Sequence, residues 1–210
     1  MLAFAPMAIG RRGRAALGLS VHTGWAALVA IAAESPTSVR VLDRRRLEMM
    51  PGKDPASPRF VYHAARELRR DVAERLIRES AELSTARAKA AIAAAVEALA
   101  SGEHEVVASG LLVGTALPTT SLDAILANHS LVHSAEGELF RGAVRGACAA
   151  LGIPVTEVRS KDLQARAARA LGIPIPKISQ QLAGIGKAAG RPWAKDQKDS
   201  CLAAWIALLA

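Results

Sequence analysis

Two short apolar runs, "ALGLSVH" and "WAALVAIAA", stand on either side of Thr23-Gly24, which is the chemistry of a tight hairpin. After Ser35-Pro36, "TSVRVLDRRRLEMM" alternates apolar and polar positions through Val39, Val41 and Asp43, the two-residue period of a third strand. Residues 51–58 are polar and proline-rich, a connection. The period then changes. From 61 to 100, Leu68, Val72 and Leu76, then Ile92, Val96 and Leu99, recur at helical intervals with charges opposite, until Ser101-Gly102 stops them. "EVVASGLLVG" predicts a buried strand, 121–151 a long helical region with a break near Asn128, and "IPVTEVRS" a further strand. A short helix is expected over 161–171 and another around 178–187. A final helix should follow Arg191-Pro192, where proline pre-sets the entry.

Strand, strand, strand, helix, strand, helix, strand, helix is the resulting order. It predicts an α/β fold: a mixed five-stranded sheet, three antiparallel strands and then strands joined through helices, with helices on both faces.

Length and composition narrow the picture. At 210 residues one domain suffices, and with half the residues hydrophobic but only 3% aromatic the core must be aliphatic. A net charge of +8 favours polyanionic partners. Arg11-Arg12-Gly13-Arg14 ahead of 15–33 also resembles a twin-arginine signal or a membrane span. The His22-Thr23-Gly24 interruption favours the hairpin, which makes 1–14 a disordered leader and 15–210 a single cytoplasmic domain. Cys148 and Cys201 sit in apolar helical contexts without CxxC or Cys/His clustering, and are read as buried thiols in a reducing compartment. Walker, GxSxG and GxGxxG motifs are absent.

Three segments carry a resemblance. "GLSVHTGWAALVAI", "FRGAVRGACAALGIPVTEVRSKDLQ" and "DQKDSCLAAWIAL" resemble the opening strand, the helix–strand–helix segment and the closing helix of the ribonuclease H-like superfamily, in its RuvC-like, Holliday junction resolvase-like branch. That likeness implies phosphodiester hydrolysis on nucleic acid, with two divalent metals clamped by converging carboxylates. The chain departs from the pattern at two acids. Ser20 stands where the first strand should end in a carboxylate, and "VVASGLLVG" contributes none; only Asp196 and Asp199 match.

Imidazoles are candidates to replace the missing acids. On one helix at 100° per residue, His129, His133 and Glu136 fall in the same stripe as Leu122, Ile125 and Phe140. In the resembled fold this helix, the end of the first strand and the last helix lie close together. His22, Glu136, Asp196 and Asp199 are therefore expected as catalytic groups, with His129, His133, Glu136, Asp196 and Asp199 around a divalent metal (Mg, Mn or Zn). Histidine ligands favour Zn or Mn over Mg.

Plainer readings stay open. His129 and His133 flank a helix break, with Asp123 and Glu136 as caps of two shorter helices. Asp196 and Asp199 complement a helix dipole. His22 is a turn residue, His63 an interfacial or capping one, and Thr23-Gly24 a weak phosphate cradle. Basic residues cluster at Arg11–Arg14, Arg44–Arg46, Arg66–Arg70 and Arg166/Arg169, patches open to DNA or RNA; Arg44–Arg46, leaving the third strand at the sheet edge, are expected to meet phosphates or to be a solvated edge. A homodimer and no membrane partner complete the expectations. The alternatives to a metal-dependent nuclease are an inactive interaction module of the same fold and a small-molecule phosphoryl-transfer protein.

Overall fold

A computed structural model describes residues 12–35, 37–52 and 57–210. Strands β1 (Gly13–His22), β2 (Trp25–Ser35) and β3 (Ser38–Glu48) come first. Helices α1 (Val61–Ala65) and α2 (Arg70–Ser101) lead to β4 (His104–Val113), then α3 (Leu122–Ala127) and α4 (His129–Ala150) to β5 (Val155–Arg159). A 3₁₀ turn at Ser160–Asp162, α5 (Leu163–Leu171), α6 (Ile175–Ala189) and α7 (Lys195–Leu209) complete the chain. The sheet order is β3-β2-β1-β4-β5. β1 pairs antiparallel with β2 and β2 with β3, whereas β4 runs parallel to β1 and β5 parallel to β4. This is the mixed five-stranded sheet that the order of elements predicts.

The β1–β2 hairpin has the two-residue turn expected at Thr23-Gly24, with His22 opposite Trp25 and Gly24 at φ 81°. Its carbonyl accepts from the amides of both Met49 and Met50, fixing the exit of β3 beside the turn. No helix among the described residues is long and apolar enough to cross a membrane. Residues 1–11, the greater part of the expected leader, lie outside the described residues, and β1 begins at Gly13.

Alternation along β1 sorts the two faces. Leu17 and Leu19 pack with Leu28, Ile92, Phe140 and Val144 under α2 and α4. Ala16 packs with Val29, Ile31, Leu202 and Trp205 under α5, α6 and α7. α7 lies directly on the backbone of the central strands. A Cβ on Gly18 would stand 1.7 Å from the Ser200 carbonyl oxygen, and one on Gly110 2.1 Å from that of Ala203. Ser200 also donates to the Ala27 carbonyl at 3.1 Å. Small residues on both surfaces thus set the last helix against the end of β1.

Some local expectations differ. Pro192 precedes α7 by several residues and does not occupy its first turn; Pro176 fills that role in α6, which begins at Ile175. The break at Asn128 is real, but Ser121 and Asn128 cap α3 and α4, accepting from Ala124 and Leu131, rather than Asp123 and Glu136. Asp123 pairs with Arg70 instead.

Candidate functional site

The carboxyl ends of β1 and β4 lie on one edge of the sheet, where open α/β sheets generally bind ligands. Three groups of polar side chains gather around that edge.

The first group hangs on the α7 face. His22 Nε2 lies 3.1 Å from Asp196 Oδ1, an ion-pair distance without hydrogen-bond alignment. The His22 ring stacks on Trp25, with centroids 4.2 Å apart and planes 11° from parallel. The Arg46 guanidinium sits 3.7 Å from the centre of Trp25, so an imidazole, an indole and a guanidinium line up across three adjacent strands. Asp199 is taken by Lys195, one helical turn before it.

A second group hangs on the opposite face, between α1 and α4. Here Glu136, only 2% exposed, accepts from the amides of Val61 (3.1 Å), Tyr62 (2.8 Å) and His63 (3.1 Å). It also lies 3.2 Å from His63 Nδ1. One carboxylate from α4 therefore satisfies the orphan donors that begin α1. Burial, and then the charges of Glu136 and Glu138, raise the pKa of Tyr62. Beside it, His129 Nε2 and His133 Nε2 are 3.0 Å apart, and His63 faces both rings edge-on. One ring nitrogen from each of the three lies within 4.8 Å of the others.

The single cluster expected from the sequence is therefore split. His22 meets Asp196 under α7, whereas His129, His133 and Glu136 gather on the α2/α4 face. Among the described residues no hydrogen bond or ion pair joins the two sets. The reason is the sheet between them: α4 and α7 cover different faces. His63, expected only as an interfacial or capping residue, proves to complete the imidazole group. Its sequence signal was the adjacency of Tyr62-His63 to a helix start, which by itself points nowhere.

Of the third group only Arg166 and Arg169 were anticipated, as one of the basic clusters. Beyond β4 and β5 a hollow of about 850 Å³ is lined by residues 113–120, Ile125, Glu138, Arg141, Arg145, Glu157 and residues 159–161. It adjoins a second, of about 720 Å³, that shares Val113, Glu157 and Arg159 and adds Asp162, Arg166 and Arg169. Six cationic groups face three acids along this trough. Arg145 holds both Glu138 and Glu157; burial works against its charge, but those hydrogen bonds outweigh it and raise its pKa.

Basic residues expected at the β3 edge have other duties. Arg44 donates to the carbonyls of Ala189, Gly190 and Pro192 at 2.6–2.7 Å, binding the negative end of α6. Arg45 pairs with Asp43, and Arg46 with Glu48. None of the three is an uncommitted phosphate ligand.

A pair of divalent ions held by carboxylates does not fit the residues present. Ser20 offers a hydroxyl where a carboxylate is needed, and β4 ends in Leu112 and Val113 with no acid. Asp196 faces His22, and Asp199 faces Lys195.

No protein-family model and no curated protein matches the sequence. Solved structures do match. RuvC of T. thermophilus in complex with a Holliday junction substrate aligns over 92% of this chain and 91% of its own, at 14% identity and a TM-score of 0.51. A structure of Thermus thermophilus RuvC covers 91% of this chain and 92% of its own, at 15% identity and the same TM-score of 0.51. At such identity the likeness is one of architecture, and the chain has the ribonuclease H-like fold in its RuvC-like form.

Proposed function

We propose that this chain binds nucleic acid along the carboxyl edge of its sheet, with backbone phosphates held in the cationic trough at the ends of β4 and β5. The observation that carries this reading is the trough's composition. Six cations against three acids leave a positive surplus, on the strand ends where open sheets bind ligands. The likeness to a RuvC structure described with a Holliday junction supports the same class of partner. The reading is a binding module that lacks, at Ser20 and at the end of β4, the carboxylates two-metal hydrolysis needs.

The experiment is fluorescence anisotropy of a labelled DNA duplex and a four-way junction. Lys161 and Arg169 are the variants of choice, because no carboxylate among the described residues pairs with either. Lys161→Ala and Arg169→Ala should each weaken binding severalfold, uniformly across sequences. Lys89→Ala, an exposed cation of α2 that does not line the trough, should leave it unchanged. Equal affinity in all three variants would remove the trough from the account.

A second reading, phosphodiester hydrolysis, is favoured by the His22–Asp196 contact. Such a pair places an imidazole for proton transfer beside the strand end at which the resembled family works. Strand cleavage that disappears in His22→Ala and persists in Lys89→Ala would establish it.

A further inference from the structure

We propose that His63, His129 and His133 form a mononuclear transition-metal site, best suited to Zn(II), distinct from the carboxylate pair of the resembled fold and independent of nucleic-acid binding.

The geometry argues for it in three ways. First, the donors are already gathered. One nitrogen from each ring lies within 4.8 Å of the other two, and the His129 and His133 Nε2 atoms are 3.0 Å apart. A tetrahedral zinc with nitrogen ligands at 2.0–2.1 Å sets its donors roughly 3.3 Å apart, so small ring rotations suffice. His129 and His133 are one helical turn apart on α4, so they project from the same side.

Second, one ligand is already oriented. His63 Nδ1 lies 3.2 Å from the buried carboxylate of Glu136. That contact selects the tautomer with its proton on Nδ1 and its lone pair on Nε2. A carboxylate behind a histidine is the usual outer support of a metal ligand, fixing the ring and raising its basicity. The same carboxylate holds the three first amides of α1, so the helix that presents His63 is tied to the helix that presents the other two.

Third, the site is reachable. His129 and His133 are exposed and His63 is half-buried, which leaves the fourth coordination position to solvent or to an anionic oxygen ligand. Three histidines and an open position are the donor set of catalytic zinc, not of closed structural zinc. Imidazole donors select zinc or its neighbours over magnesium, which prefers oxygen.

The test is titration of the metal-stripped, tag-free full chain with Co(II) and then Zn(II), read by visible absorption and by metal analysis after dialysis. One Co(II) per chain is expected, with the intense visible bands of a tetrahedral site, displaced by an equivalent of Zn(II). Stoichiometric binding should vanish in His129→Ala and in His133→Ala, whose side chains are exposed so that the fold survives, as far-ultraviolet circular dichroism will confirm. Glu136→Gln should weaken Zn(II) affinity about 10–100-fold while all three ligands remain. His22→Ala and Asp196→Asn should bind as the parent does. Absence of saturable binding, or stoichiometric binding that persists in the His129→Ala/His133→Ala double variant, overturns the proposal.

Discussion

At the residue scale, Glu136 shows what a sequence can and cannot disclose. Its place on an apolar stripe marks it as a buried acid in need of partners, and that much is legible. The partners, however, are backbone amides of residues 61–63, which no side-chain pattern announces. Glu136→Ala should strand these donors in a dry interface and cost roughly 3 kcal/mol of stability, measured by denaturant unfolding. A loss below about 0.5 kcal/mol would mean that water replaces the carboxylate. The cysteines are simpler, since an apolar helical setting is visible in sequence and both are buried. Burial pushes the Cys201 thiol up from 9.0 to about 12. An unfolded thiol ionises first as pH rises, so this contribution to stability is complete below pH 9 and fades between pH 9 and 12. Neither thiol should react with a disulfide reagent at pH 8 until the protein unfolds; rapid native labelling would contradict the burial.

Among the elements, α7 decides where the candidate chemistry stands. It reads as an apolar run after two aspartates, but its small residues matter more than its hydrophobic ones. Gly18 and Gly110 let its backbone rest on β1 and β4, and the contact carries Asp196 to within reach of His22. Gly18→Ala places a methyl group against the Ser200 carbonyl and should destabilise the protein by at least about 1–3 kcal/mol, seen as a lower thermal midpoint. An unchanged midpoint would show that the helix shifts freely. Elsewhere, sequence period located the elements well, because strands and helices differ in period along their whole length. Their duties were less legible. Arg44 looks like an edge charge and is instead a cap for the end of α6, a role fixed by residues some 145 positions away in the chain.

For the whole molecule, the order of elements was enough to predict the mixed sheet, since hairpin-linked strands pair antiparallel and helix-linked ones parallel. The convergence of the candidate residues was not legible. Whether α4 and α7 cover the same face is a matter of crossover direction, and neither periodicity nor spacing encodes it for a single helix. The trough escaped for a related reason: its charges come from α4 and from the continuous β5, 3₁₀ and α5 segment, and it is the folding of that segment back beside α4 at the ends of two parallel strands that gathers them. The central claim is that this edge meets polyanions through fixed cations and not through carboxylate-bound metals. The salt dependence of DNA binding, measured with and without a chelator, tests it most directly. With about three phosphates engaged, one for each cation in excess, log K should fall against log salt with a slope of roughly −3, unaltered by chelator. A slope near zero, or binding that requires Mg(II) and is lost in Asp196→Asn, would contradict it.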